Sequence, residues 1–373
     1  MIAIELDDNL KEQIEEIHWN WFLERSKKIF SRKPNKGMSY YDYILGKINL
    51  VEKKEISGMT TKEIRELKQR RLKNLIVGNP CKDKDENGLE IKKFDFFIQL
   101  NKNKKWTKKT KEKLKTVFGY GDFTKSPDLK GWKGWCTGQT KKWYDNFLQK
   151  NKGKHWNIKV LCTTLEIEVC PYCNRQYIFS YNKNSYEKNS AEIDHFYAQS
   201  LYPYLSCSLY NFIPSCPTCN FLKGDEDDEI LYPYTESYEN KSNHDSPHAY
   251  FVFERKDGIR INSYEDVINC DKKIFVEIDQ AFPQSSKIDN EKKLFCIDEL
   301  YNCHTVALED IINRFEMYPH GKEAEMQRLF KKSEEEIKNV IYGFSLNQEK
   351  NEYPLRKFRE DIVRFLMKLP KNR

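Results

Sequence analysis

Apolar residues recur at helical spacing near the start of the chain. Ile14, Ile17, Trp21 and Phe22 share one face, and Asp7 or Asp8 stands where an N-cap belongs. A second helix is expected to open at Thr60, where Thr60 and Glu63 make a capping-box pair. It carries Ile64, Leu67, Leu72 and Leu75 on one stripe and stops at Gly78. Residues 79–88, with Asn79-Pro80 and Asn87-Gly88, read as a loop or linker. Trp143, Phe147 and Trp156 read as core or interface residues in the Gly- and Trp-rich stretch 121–158. Further on the period shortens. Residues 250–255, 258–261 and 273–278 read as strands, and helical patterns follow near 295–318, 322–343 and 355–368. No internal repeat is visible.

Charge is unevenly divided along this pattern. Of the formal +7, residues 1–160 hold 37 Lys+Arg against 21 Asp+Glu, and the remainder holds 27 against 36. A basic half joined to an acidic one suggests that the first half meets a polyanion; a merely solvated lysine-rich surface explains it as simply. The densest run, residues 102–116, has eight lysines with Trp106 among them. That tryptophan suits a base stack or an anchor to the core equally well. Aromatics at 14% and apolar residues at 39% argue for packed cores. No uncharged apolar run reaches the ~20 residues a membrane span needs, and residues 1–8 lack the basic and apolar signature of a secretory leader. The expectation is a cytoplasmic protein with no membrane partner. There, 11 cysteines should be thiols or metal ligands rather than disulfides.

Four of those cysteines stand apart. Cys170-Pro171-Tyr172-Cys173 and Cys216-Pro217-Thr218-Cys219 are two CxxC pairs with 42 residues between them. Two such knuckles supply the tetrahedral tetrathiolate that a structural Zn²⁺ takes, a closed shell that holds a fold without doing chemistry. Cys81, Cys136, Cys162, Cys207, Cys270, Cys296 and Cys303 lack this spacing and read as ordinary core thiols.

Between the knuckles lies Glu192-Ile193-Asp194-His195-Phe196, then Leu209-Tyr210-Asn211-Phe212, and Asn220 directly follows the second knuckle. Phosphodiester hydrolysis needs a base near neutral pH, which an imidazole supplies, and a hard cation held by oxygen ligands. Asp194 and Asn220 offer such oxygens. Asp194 and His195 are adjacent, so in a strand they need a bend or a strand end to serve one site. Asn211 is placed to hydrogen-bond backbone across the intervening loop and hold His195. Lys223 and Arg175 are the nearby candidates for contact with a substrate phosphate. His304 suits packing or capping, and His244 and His248 read as surface residues in a polar loop.

Asp194-His195, Asn211 sixteen positions on and Asn220 nine further resemble the ββα-metal motif of HNH endonucleases, in the variant with asparagine in place of the last histidine. Residues 170–178, 193–197 and 208–216 resemble more closely the PtuB-type HNH nucleases of Septu and retron anti-phage systems, with weaker echoes at 298–304 and 354–362. Ala198-Gln199 departs from the Pro-Lys that pattern would carry. The resemblance implies a hairpin ending in Asp194-His195 and a helix bearing Asn220 and Lys223. It also implies His195 as general base, Asp194 and Asn220 as ligands of Mg²⁺ or a similar ion, Asn211 as a structural residue, and products with a 5′-phosphate and a 3′-hydroxyl. A partner ATPase is implied by the resemblance only, since the chain has no Gly-rich phosphate loop.

The expected fold class is α+β. Residues 1–160 form a helical basic region for nucleic acid or a partner. Residues 161–235 form a zinc-stapled ββα-metal nuclease core, and residues 236–373 a C-terminal region of strands then helices. The expected function is endonucleolytic cleavage, of DNA in the first instance, with the basic first 160 residues or a partner holding the substrate. Two alternatives stay open: a non-catalytic zinc ribbon binding nucleic acid or protein, and an RNase toxin acting on tRNA with the same residues.

Overall fold

The computed structural model of the chain describes residues 1–30, 48, 50–78, 94–101, 106–119, 156–183, 186–239, 247–259, 261–263, 265–268, 271–317, 323–343 and 353–369. The loop at 79–88, Trp143, Phe147, Cys81, Cys136, Cys270 and His244 lie outside these residues. The class is α+β, helix-rich with small sheets.

Helix α1 (Asp8–Phe30) is capped by Asp7, whose Oδ1 accepts from the Leu10 N–H at 2.8 Å, and it buries Ile14, Ile17, Trp21 and Phe22 as the pattern requires. Helix α2 (Thr61–Val77) opens on the Thr60–Glu63 capping box, with both reciprocal bonds formed, and ends at Gly78. Helices α3 (Phe94–Asn101) and α4 (Lys108–Phe118) follow; the second has Leu114, Val117 and Phe118 inside. Trp106 resolves toward the core: its ring meets Tyr204 at 5.9 Å between centroids. Helix α5 (Ile158–Thr164) leads into the first cysteine knuckle.

Three two-stranded antiparallel sheets form among the described residues. They pair β1 (Ser180–Lys183) with β2 (Tyr186–Asn189), β3 (Glu192–His195) with β4 (Phe212–Ser215), and β5 (Ala249–Arg255) with β6 (Lys272–Ile278). Helix α6 (Pro217–Lys223) starts at the second knuckle, with Pro217 in its first turn. Between β5 and β6 the described residues Gly258, Ile259 and Ile261 do not form the strand expected there. Asp257 accepts hydrogen bonds from Arg255 and the Ile259 N–H, and Gly258 sits at φ +80°, a turn geometry that a strand excludes.

After the helical turn α7 (Glu265–Ile268), α8 (Ser285–Leu294) is a helix the pattern did not signal. The stretch expected as one helix at 295–318 is two, α9 (Ile297–Tyr301) and α10 (Thr305–Met317), joined by a 3-10 turn at Asn302–His304. Asp298 and Asn302, four apart, face β6 and bond the backbone of Val276 and Ile274, which commits this turn to the sheet. The stretch at 322–343 also splits, into α11 (Glu323–Phe330) and α12 (Glu334–Tyr342). Lys331 takes φ +53°, and a Ser333–Glu336 capping box restarts the helix. Helix α13 (Arg356–Lys368) closes the described chain.

One connected apolar core runs through all three expected segments. Polar contacts cross the same boundaries. His18 of α1 reaches the Cys207 carbonyl, and Ser208 Oγ donates to the Leu75 carbonyl of α2. Asn174 accepts from the Leu355 and Lys357 N–H groups at the head of α13. No described helix is long and apolar enough to cross a membrane.

Candidate metal centre and hairpin–helix site

The first knuckle closes because Asn174 adopts φ +48°, which lets its N–H return to the Cys170 carbonyl at 2.8 Å. Asparagine is among the few residues other than glycine that tolerate this conformation. The second knuckle is the start of α6: Cys216 is the N-cap, and its sulfur accepts from the Cys219 N–H. The two knuckles bring Cys170, Cys173, Cys216 and Cys219 together, all buried, with their sulfurs within 4.8 Å of one another and Cys173 and Cys216 at 3.9 Å. Zn–S bonds of about 2.3 Å at tetrahedral angles require sulfurs about 3.8 Å apart. Four thiols at this separation can hold a structural metal such as zinc. Hydrogen bonds from the surrounding thiols already draw the Cys216 proton affinity far down, while burial pushes that of Cys170 up. Two other cysteines depart from the core reading: Cys296 is half-buried at the N-cap of α9, and Cys303 is exposed in the 3-10 turn between α9 and α10.

The staple fixes β4 and α6 against β3. The register pairs Asp194 with Ile213 and His195 with Phe212, so His195 is the last residue of its strand. On the face toward α6, alternate strand residues Glu192 and Asp194 meet helix residues Asn220 and Lys223, three apart. The Asn220 amide donates to Glu192 Oε2 at 2.7 Å, and the Lys223 ammonium to Asp194 Oδ1 at 3.1 Å. Two polar rungs thus join strand and helix. Asp194 also accepts from the buried Tyr172 hydroxyl at 2.6 Å. Lys223 has a second acceptor, the His195 carbonyl, at 2.8 Å.

These contacts correct the expectation for Lys223. It is 2% exposed, and its ammonium is turned inward on Asp194 rather than toward a substrate. A carboxylate as deeply buried as Asp194 draws in a cation because an unpaired charge there is costly. Arg175 is half-buried and lies within electrostatic reach of Tyr301 and His304, with its Nε unpaired.

His195, the last residue of its strand, lies within electrostatic reach of Asp194 and Lys223. Its Nε2 lies 2.9 Å from the Ser206 carbonyl, and its ring meets Phe212 edge to face at 5.3 Å. A carbonyl only accepts, so Nε2 carries the proton and the lone pair is on Nδ1. Burial holds the imidazole below its usual pKa, partly offset by the Ser206 hydrogen bond and by Asp194.

Asn211 builds the support for that carbonyl. It is fully buried; its Oδ1 accepts from the Tyr197 N–H at 2.8 Å, and its Nδ2 donates to the Tyr197 and Leu205 carbonyls at 3.2 and 3.0 Å. The segment 197–205 is therefore tied to the start of β4, and the next residue, Ser206, orients His195. Lys111 of the basic helix α4 reaches the same loop at the Ser200 carbonyl. The two segments with weaker echoes brace the first knuckle: Tyr301 Oη donates to the Cys173 carbonyl at 2.7 Å, and Lys357 N–H to Asn174 Oδ1. His304 packs beside Tyr301, and half-buried His248 stacks on Phe282.

Sequence reasoning passed over four residues here: Tyr172, Glu192, Ser206 and His18. Glu192 is two before Asp194, so alternation alone puts it on the same face. His18 falls on the buried stripe of α1, four after Ile14 and three before Trp21. Both its nitrogens are used, Nε2 toward Cys207 and Nδ1 accepting from the Trp156 indole N–H at 3.0 Å, and burial lowers its pKa to about 4. Tyr172 and Ser206 act through contacts that no local pattern carries. Comparison with protein-family models, with curated proteins and with solved structures gave no match to this chain.

Proposed function

We propose that this chain is a metal-dependent endonuclease of the HNH kind, cleaving phosphodiester bonds of nucleic acid, DNA in the first instance. The observation that carries the reading is the hairpin β3–β4 followed by α6, sealed by four clustered cysteines, with Asp194-His195 at the strand end and Asn220 on the helix. A zinc staple alone does not require an imidazole of fixed tautomer at the end of the strand.

His195 is the base in this reading. Its lowered pKa keeps it neutral at pH 7, and the Ser206 carbonyl fixes which nitrogen can take a proton from water. Asn211 is a positioning residue acting through the 197–206 loop. Asp194 and Asn220 supply the oxygens of the hard-cation type. Their rungs lie roughly 6 Å apart by helix and strand spacing, so convergence on one ion requires Asp194 to share or release Lys223. Bound there, Mg²⁺ or a similar ion would neutralise charge on the scissile phosphate and the departing 3′ oxygen. A phage-defence role with a partner ATPase extends the proposal on resemblance alone.

The buried Asp194–Lys223 pair favours one rival, a zinc-stapled binding module in which the carboxylate is structural. Nicking of supercoiled plasmid by zinc-loaded protein, with and without added Mg²⁺, separates the two. The nuclease reading expects Mg²⁺-dependent nicking that falls on the order of 10²–10⁴-fold in His195→Ala. Absence of nicking with Mg²⁺, Mn²⁺ or Ca²⁺, or nicking that survives in His195→Ala, overturns it.

A further inference from the structure

Three aromatic side chains stand in solvent next to the hairpin–helix site: Tyr177 is 49% exposed, Phe179 47% and Tyr181 47%. They are alternate residues of one extended segment, and Ile178 between the first two is 2% exposed and faces inward. Adjacent rings lie 6.2 and 6.1 Å apart between centroids, tilted by 68° and 59°. At those angles the rings meet edge to face rather than stacking in parallel, and about half of each residue stays in solvent. A contiguous aromatic row in water marks a binding surface more often than a single exposed ring does.

The row is held rigidly. Tyr177 bridges Val169 beside the first knuckle, and Gln176 reaches Thr218 of α6 at 3.4 Å. Phe179 is locked to Ser190, its N–H donating to Ser190 Oγ at 2.8 Å and its carbonyl accepting from the Ser190 N–H at 3.0 Å. Ser190 stands two residues before β3, so the row is tied to the strand carrying Asp194 and His195. A fourth ring, Phe221, is 84% exposed on α6 next to Asn220.

We propose that Tyr177, Phe179 and Tyr181 form a stacking platform for unpaired bases, so that the substrate is a single-stranded or locally opened nucleic acid. The proposal rests on the nuclease reading for the identity of its occupant. Spacing and charge choose that occupant. Stacked bases in a duplex rise about 3.4 Å per strand and cannot each take a ring on a 6 Å repeat, whereas an extended, unstacked strand can. Residues 161–223 hold only four Lys+Arg against five Asp+Glu, and one of the four, Lys223, is spent on Asp194. Cations of this unit therefore contribute little grip, and stacking, which needs no charge and accepts every base, supplies it.

The test is fluorescence anisotropy with a labelled 20-nucleotide single strand and the matching duplex, on zinc-loaded full chain carrying His195→Ala to prevent cleavage. The single strand should bind at least about tenfold tighter than the duplex. Phe179→Ala should weaken it about 5- to 160-fold, the range of a lost base stack, with the slope against log salt unchanged. Phe179→Trp should restore binding and Phe179→Leu should not. Equal affinity for the two polymers, or wild-type affinity in the Tyr177→Ala/Phe179→Ala/Tyr181→Ala variant at unchanged zinc content, overturns the proposal. So does loss of self-association in that variant, seen by sedimentation, without loss of single-strand binding. Ring-dependent binding with no Mg²⁺-dependent cleavage of either the plasmid or the single strand by the chain with His195 intact would leave the platform standing and remove the nuclease; cleavage with ring-indifferent binding would do the reverse.

Discussion

Replacing Asn211 by aspartate exchanges one NH₂ for an oxygen and leaves the side-chain shape intact. The buried Asn211 side chain makes three hydrogen bonds, and two of them are donated by Nδ2 to the carbonyls of Tyr197 and Leu205. Asp keeps the acceptor for the Tyr197 N–H and faces both carbonyls with an oxygen. Each of the two lost bonds costs about 1 kcal/mol net, the Leu205 carbonyl keeps the Ser208 N–H, and the introduced oxygen, buried against two acceptors with no donor, adds about 1–3 kcal/mol. The sum for this site is about 3–5 kcal/mol at pH 7. With m near 3 kcal/mol/M, the urea midpoint followed by tryptophan fluorescence should fall by more than about 1 M. The introduced carboxyl, buried against two carbonyls, should titrate well above its unfolded value. A folded pKa raised in this way makes the folded state bind more protons, so the variant should regain stability as pH falls through that raised value toward about 4. Nicking should fall as well, because the Leu205–Ser206 segment that orients His195 loses its tie. A midpoint within about 0.3 M of wild type at pH 7, or a deficit that does not shrink at pH 5, would refute the role given to Asn211.

Metal analysis of purified chain should find one tightly held zinc, and Cys219→Ser should lose it and lower the thermal midpoint by at least about 10 °C, at about 2–4 °C per kcal/mol; a zinc-free wild type as stable as the loaded one contradicts the staple. His18 has a folded pKa of about 4 against 6.5 unfolded, so the unfolded chain alone takes up its proton in that window and stability declines as pH drops from 6.5 to 4. Relative to His18→Gln, which does not titrate, wild type should therefore lose up to about 3 kcal/mol between pH 7 and 4; a difference in urea stability that stays flat with pH counts against a neutral buried His18.

Elements that depend on local chemistry were legible in the chain. The Asp7 cap, the Thr60–Glu63 box and the α1 stripe each involve residues three or four apart, so sequence spacing is spatial spacing. The same holds within each CxxC knuckle, whose sulfurs face one point whatever the rest does. Where two local rules competed, the pattern misled. Continuous apolar periodicity hid the break at Lys331 and the 3-10 turn at Asn302, because a capping box and a sheet-edge contact decided those breaks.

The sequence by itself determined that four cysteines can form one metal centre, and that a histidine, two asparagines and an aspartate lie at fixed intervals around it. Tertiary structure alone decided what each faces. Asp194 meets Lys223 of α6, and His195 meets the Ser206 carbonyl. The low dielectric of the interior then makes the Asp194 carboxylate recruit the Lys223 ammonium, a residue 29 positions away that the motif had aimed at substrate. Such pairings depend on which charges folding buries together, and that is set by packing across the whole core rather than by spacing along the chain.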